Sequence, residues 1–295
     1  MEVSRAVLIT GCSSGIGRAT AERLAGAGWT VYATARTLGS IAGLEAAGCR
    51  LLELDVTDES SMRAAVEAVE TAEGAVGVLV NNAGYSLSGA IESVPIDEVR
   101  RQFETNVFGL VRLSQLVLPG MRQQGWGRIV NVSSMGGRFT FPGGGYYHAT
   151  KHAVEALSDA LRFEVQGFGI DVVVLQPGLI RTGFADAAVG TIADRSEDPE
   201  GPYDGFNQAV AATTAGAYRN GISRALGGGP ETVAKAVERA ISAKRPHTRY
   251  RVTGSARLFI VIRRLLPDRL WDAMISRTFP QPKAVAGCAD RRRVV

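Results

Sequence analysis

The chain has 295 residues, 45% of them hydrophobic and 21% charged, enough for one large buried core and too apolar for a disordered or fibrous chain. Its three cysteines, Cys12, Cys49 and Cys288, are too few and too scattered for a disulfide framework or a metal pair, which points to a reduced, cytoplasmic setting. The formal charge of +4 hides an asymmetry: from Lys244 onward 13 Lys or Arg stand against 3 Asp, whereas the rest carries 20 basic and 26 acidic residues.

In chain order, short β-branched runs alternate with longer amphipathic stretches. "AVLIT", "TVYATA", "CRLLEL", "VGVLVNNA", "GRIVNVSS" and "IDVVVLQP" read as strands buried on both faces, and "TRYRVTG" at 248–254 reads as the last. Helical periodicity covers 15–28, 58–73, 95–124 and 146–167. Strict alternation requires parallel strands with right-handed crossovers, hence an α/β fold whose doubly wound sheet has helices on both faces. No repeat or low-complexity linker divides the chain, so one domain is expected over 1–255, followed by a basic amphipathic extension over 256–295. "SRAVLITG" leads straight into a strand rather than a cleavable leader, and no apolar run approaches the ~20 residues of a membrane span.

The first strand ends in "TGCSSGIG", residues 10–17, and a helix follows at once. Gly11, Gly15 and Gly17 stand where a strand-to-helix turn needs unusual φ/ψ and close approach to a pyrophosphate. Their Gly-x3-Gly-x-Gly spacing, "NNAG" at 81–84 and Tyr147-x3-Lys151 together resemble the short-chain dehydrogenase/reductase family from Arg5 to about Thr182. "TGCSSGIG" and "VYATAR" look most like the branch containing 17β-hydroxysteroid and retinol dehydrogenases. The resemblance implies a single-domain Rossmann fold that transfers a hydride between a nicotinamide and a carbonyl or secondary alcohol. Gly11, Ser13, Ser14, Gly15, Ile16 and Gly17 would cradle the cofactor's phosphates, with Asn82, Ala83 and Gly84 beside them.

An acidic residue after the second strand favours NAD by holding the ribose hydroxyls. Ala35 stands there instead, followed by Arg36, whose guanidinium suits a 2′-phosphate, so NADP(H) is expected over NAD(H). Asp55, with Val56 after it, resembles the family's adenine-binding position; either Asp55 or Asp58 could instead be a helix N-terminal acid.

Residues four apart share a helix face, and "YYHATK" at 146–151 begins three such pairs. His148 and His152 lack the Glu of a zinc motif, since Ala149 follows His148, so no metal is expected and both histidines read as surface or interface residues. Tyr147 and Lys151 have a chemical use: a nearby ammonium stabilises a phenolate and lets the phenol exchange a proton near neutral pH. Ser134 precedes Tyr147 by the family's 13 residues and would steady the substrate oxygen. Ser133 and Tyr146 have the same spacing, but Thr150 follows Tyr146 where a lysine is needed, so Ser133 is expected on the other strand face. Asn106 in "ETNVFG" resembles the family asparagine that relays protons through water to Lys151; a helix-surface Asn is the alternative. Pro177, Gly178 and Thr182 in "QPGLIRT" resemble the turn under the nicotinamide.

The segment 183–229, with Phe184, Tyr203, Phe206 and Tyr218, reads as a substrate lid. Tyr85, Phe139 and Phe141 suggest a roomy apolar pocket for a lipophilic ketone, steroid-, retinoid- or polyketide-like. In "ARLFIVIRRLLPDRL", Leu258, Phe259, Val261, Ile262, Leu265 and Leu266 share one helical arc and Arg257, Arg263 and Arg264 the other. Packing against protein is favoured over a membrane surface. The competing function is a catalytically silent NADP sensor on the same fold. Nucleic-acid binding would rest on the basic tail alone and is not expected. The resemblance also implies a homodimer or homotetramer paired through 95–124 and 146–167.

Overall fold

The computed structural model describes residues 3–183, 190, 201–217, 225–279 and 281–282. Its strands are β1 (Val7–Ile9), β2 (Val31–Ala35), β3 (Arg50–Glu53), β4 (Val78–Asn81), β5 (Gly127–Val132), β6 (Ile170–Gln176) and β7 (Arg249–Arg251). They form one sheet in the order β3-β2-β1-β4-β5-β6-β7, every pairing parallel. The direction of winding reverses between β1 and β4, where Val7 pairs Val31 on one side and Val78 on the other. A crevice outside the strand ends is expected at such a switch point.

The central strands are buried on both faces because helices cover both. Helices α1 (Gly15–Gly26) and, later in the chain, Pro230–Ser242 pack Ala21, Leu24, Val233, Val237 and Ile241 against one face. On the other face, α2 (Glu59–Glu73) and the long helical stretch 96–124 supply Met62, Val66, Val69, Leu113, Val117 and Met121. That stretch consists of α3 (Ile96–Phe103), a π-helical turn (Glu104–Phe108) and α4 (Gly109–Gln124). Helix α5 (Gly145–Val165) completes this layer. Strand β3 departs from the sequence expectation: as the edge strand it leaves Arg50 and Glu53 exposed and Leu51 and Leu52 half-buried.

A buried polar ladder registers the helices on the sheet. Asn81 Nδ2 donates to Asn131 Oδ1 at 2.9 Å and Ser114 Oγ at 3.2 Å, and Asn131 Nδ2 donates to Ser158 Oγ at 2.9 Å. Strands β4 and β5 are thereby tied to α4 and to α5, the helix that borders the crevice through Tyr147, His148 and Lys151.

After α5 and β6 come α6 (Asp204–Ala217), α7 (Pro230–Ser242), β7, α8 (Gly254–Leu265) and α9 (Asp268–Ser276). Thr253 caps α8, its Oγ1 accepting from Ala256 N at 3.3 Å. Helices α8 and α9 close over Phe139 and Phe141. Phe139 lies 5.5 Å from Trp271 and 6.0 Å from Phe259, and Phe141 stacks on Trp271 at 6.1 Å. Periodicity alone misplaces the buried face of α8. The helix is rolled so that Ala256, Phe259 and Ile260 face inward, while Leu258 and Val261, each 44% exposed, and Leu265, 74% exposed, face solvent.

Candidate active site

The carboxyl ends of β1, β2, β4, β5 and β6 open onto one cleft of about 1380 Å³, running from Arg36 and Asp55 past the glycine turn to Ser134 and Tyr147. Its shape begins with backbone constraints. Gly11 has φ 72°, and a Cβ there would meet Ala83 Cα at 3.0 Å. Gly17 is more constrained: its Cβ would fall 2.2 Å from Gly11 O and 2.6 Å from Asn82 Nδ2. Gly17 therefore does not line the cleft; its small size lets α1 approach β1.

Thr10 joins this turn to "NNAG". Its buried Oγ1 accepts from Asn82 N at 3.0 Å and Ala83 N at 2.9 Å, while Asn82 Nδ2 donates to Thr10 O at 2.9 Å and Gly11 O at 3.1 Å. The sequence reading did not name Thr10; its place directly before Gly11 was the available signal. Ser14 begins α1 without a side-chain cap, and the first turn holds no acidic residue. The helix thus presents uncapped N–H groups and its positive end to the cleft wall formed by Ser13, Ser14, Gly15 and Ile16. This cradle of bare backbone donors fits a nucleotide pyrophosphate.

Beyond it, Ala35 is buried and Arg36 exposed, both at the cleft. The two acids at the start of α2 have separate duties. Asp58 is the N-cap, its Oδ1 accepting from Ser60 Oγ at 2.6 Å, Ser61 N at 3.0 Å and Ser60 N at 2.7 Å, and these bonds, the Ser60 hydroxyl's first, hold its pKa below the usual carboxylate value. Asp55 turns instead onto Thr57 N at 2.9 Å and Thr57 Oγ1 at 2.7 Å, and lines the cleft with Val56.

At the other end α5 sets Tyr147 and Lys151 one turn apart. Lys151 Nζ donates to Val132 O at 2.8 Å and sits 5.8 Å from the centre of the Tyr147 ring. Burial pushes the Lys151 ammonium down to about 8, with the Glu155 carboxylate pulling the other way. Ser134 lies across from them at the end of β5, half-buried on the cleft wall, its Oγ accepting from Gly136 N at 3.0 Å. A polarised oxygen could thus be met by a serine, a phenol and, behind the phenol, an ammonium. Tyr146 faces away, its hydroxyl donating to Ile91 O at 3.0 Å, which separates the two tyrosines as the lysine register required.

Asn106 occupies the π-helical turn and is 1% exposed, which excludes a helix-surface role. Its Oδ1 accepts from Tyr85 N at 3.1 Å, and its Nδ2 donates to Tyr85 O at 2.9 Å and Thr150 Oγ1 at 3.2 Å. It stands behind the cleft wall: a Cβ on Gly84 would come 3.0 Å from Asn106 Oδ1 and 3.7 Å from Lys151 Nζ.

His148 corrects the expectation of a surface residue. It is buried, its Nδ1–H donates to Gly136 O at 2.9 Å, and its ring edge packs on Phe141. Because a carbonyl only accepts, the proton is on Nδ1. Burial pushes the imidazole pKa down to about 4, so it is neutral near pH 7. His148 thereby pins the turn bearing Ser134 to the helix bearing Tyr147. His152 is exposed, its Nδ1 bonded to His148 O at 2.9 Å. Ser133 is buried with its Oγ beside Gly137 and without a hydrogen-bond partner, yet its residue also borders the cleft. Among the described residues no group of three His, Cys, Asp or Glu is placed to hold a metal.

Pro177, Gly178 and Thr182 form the floor, Pro177 O accepting from Met135 N at 2.8 Å. Thr182 reaches across to Gly15, where a Cβ would lie 3.4 Å from Thr182 Cγ2. Of the lid aromatics, Phe184 and Tyr218 lie outside the described residues. Tyr203 donates to Glu92 Oε2 at 2.6 Å on the surface, and Phe206 stays off the cleft wall, which α6 meets through Val210 and Thr213. Tyr85 and Phe141 line the cavity, but Phe139 is 2% exposed and packs behind Phe141. The apolar wall expected of Phe139 comes from Phe259, Met274, Ile275 and Phe279. Of these only Phe259 was legible, as part of the apolar arc of one amphipathic helix, and nothing local tells where that helix docks.

The sequence pattern of the family described as short chain dehydrogenase matches residues 5–191. A 3-ketodihydrosphingosine reductase of Bacteroides thetaiotaomicron is 37% identical over 265 residues, spanning 90% of this chain and 94% of that protein. An NADPH-dependent 3-dehydrocapnine reductase of Ornithobacterium rhinotracheale is 34% identical over 277 residues, spanning 91% and 95%. Among solved structures, a short chain dehydrogenase/reductase from Burkholderia phymatum in complex with NAD superposes with a TM-score of 0.74 at 27% identity, covering 97% of this chain and all of that one.

Proposed function

The chain belongs to the short-chain dehydrogenase family and is an oxidoreductase, and from that premise we propose that it reduces a lipophilic ketone with NADPH, or runs the reverse alcohol oxidation. The observation that carries the reading is the convergence of Ser134, Tyr147 and Lys151 at one end of a cleft whose other end has Ala35 and Arg36 in place of an acid. A bound nicotinamide supplies or accepts the hydride. Ser134 Oγ and the Tyr147 hydroxyl hold the substrate oxygen, and Tyr147 gives it the proton or takes it back. Lys151 keeps positive charge beside the phenol, and Asn106 shapes the path by which Lys151 exchanges protons. Gly11, Ser13, Ser14, Gly15 and Ile16 receive the phosphates, Asp55 and Val56 the adenine, and Pro177, Gly178 and Thr182 the nicotinamide side.

The relatives named 3-ketodihydrosphingosine reductase and NADPH-dependent 3-dehydrocapnine reductase are compatible with a lipophilic substrate, and the apolar wall of Phe259, Met274, Ile275 and Phe279 suits one. Steady NADPH oxidation with long-chain β-ketones, absent without the ketone, is the direct test. Tight NADPH binding with no turnover on any carbonyl would favour the silent sensor.

Arg36→Ala should weaken NADP about 100-fold, the scale of a lost bidentate charge-assisted pair, and leave NAD within about threefold. Isothermal titration with both cofactors reads this directly, and equal losses would remove the 2′-phosphate role. The proposed assembly uses the helices that carry Phe108, Leu157 and Phe163, which are 53%, 40% and 84% exposed. Sedimentation velocity should show a dimer or tetramer that Phe163→Asp dissociates; a monomeric unmodified chain would contradict this pairing.

A further inference from the structure

The outer side of α8 and α9 leaves apolar side chains in solvent: Leu258 and Val261 are 44% exposed, Leu265 74% and Leu270 57%. Positions 258, 261 and 265 form one stripe along α8. Arg257 and Arg264 are exposed on the same helix, Arg269 is exposed on α9 and Arg277 at its C-terminal end. None of the four makes an ion pair among the described residues, whereas Arg263 pairs with Asp268. Four guanidinium groups without an ion pair, on the two helices that carry an open apolar stripe, complement anionic headgroups lying over acyl chains.

We propose that this face seats on the surface of an anionic lipid bilayer. Leu258, Val261 and Leu265 enter the headgroup layer while the surrounding arginines pair with lipid phosphates. No helix among the described residues is long and apolar enough to cross a membrane, so the attachment is peripheral. A second copy of the chain complements the face less well. A two-fold axis through it would set five arginines against five, with Asp268 and Asp272 the only acids on the two helices.

The inner side of the same helical pair gives the attachment a use. Phe259 of α8, Met274 and Ile275 of α9 and Phe279 beyond it line the cavity, so on α8 the exposed stripe and the apolar wall are different sides of one helix. A bilayer held there stands next to the wall that an apolar substrate would follow inward. That use rests on the reductase reading; the attachment does not, and binding is measured without turnover.

The experiment is co-sedimentation of the full chain with phosphatidylcholine vesicles, with and without phosphatidylglycerol. The chain should pellet with the anionic vesicles only, and release as salt rises. Arg264→Ala combined with Arg269→Ala should weaken binding about 30-fold, at roughly a factor of five per arginine. Leu265→Ser should weaken it about tenfold. None of these residues lines the cavity, so NADPH affinity should be unchanged in every variant, which separates lost docking from lost folding. A chain left in the supernatant at low salt, or equal pelleting on neutral vesicles, overturns the proposal. So does a Leu265→Ser variant that pellets like the parent but loses an oligomer, since the face would then join copies of the chain.

Discussion

Tyr147→Phe should lower ketone-dependent NADPH oxidation by about 10³-fold while leaving NADPH affinity within a few-fold. The ring, its place on α5 and the Lys151 Nζ bond to Val132 O all survive the substitution; what goes is the one proton that the substrate oxygen can receive. Stopped-flow turnover alongside fluorescence titration of NADPH separates the two effects. Turnover within tenfold of the parent would transfer the proton donor to another group and end the reading given to α5.

The same pair predicts a pH profile. Lys151 must be charged to stabilise the phenol's conjugate base, and burial holds its pKa down to about 8. Its contribution is therefore present below pH 8 and lost as pH rises through that value. kcat/KM for reduction should be level at lower pH and fall above about 8. Lys151→Met should lower the plateau and remove the fall near pH 8, because the ammonium that loses its proton there is gone.

The second large effect is structural. Gly17→Ala and Gly26→Ala change the same helix by the same methyl group, yet should act in opposite directions. At Gly17 the new Cβ would lie 2.2 Å from Gly11 O, a backbone atom that can move only by opening the cofactor turn. A loss of about 3 kcal/mol is expected, the upper range for overpacking, with NADPH affinity falling about 100-fold as the α1 N–H groups shift. At Gly26 nothing lies within 4 Å, and helix propensity should stabilise by up to about 1 kcal/mol. Denaturant melts of the two variants read the contrast. A Gly17→Ala variant as stable as the parent would show that α1 does not depend on this close approach.

Much of the active end was legible because its signals are local. Tyr147 and Lys151 are four apart on one helix, and the glycines carry their conformational meaning in their own spacing. The parallel sheet follows from alternation, since each apolar run must be covered on both faces. Residues that compete for one role could be separated only by their three-dimensional partners. Asp55 and Asp58 read alike in sequence, but Asp58 alone meets the Ser60 and Ser61 N–H groups, leaving Asp55 for the cleft. Tyr146 and Tyr147 are the contrary case: the lysine register separates them in the sequence, and the bond from the Tyr146 hydroxyl to Ile91 O agrees with it.

Thus the sequence by itself determined the α/β class, the order of motifs along the strand ends and the choice of Tyr147 over Tyr146, all properties of spacing along one chain. Only the tertiary structure decided that His148 is buried and neutral, that Phe139 backs the cavity instead of lining it, and that α8 turns Leu258, Val261 and Leu265 outward. The physical reason is common to all three. Burial depends on which distant surface a segment meets, and amphipathicity states that a face will be covered without stating by what.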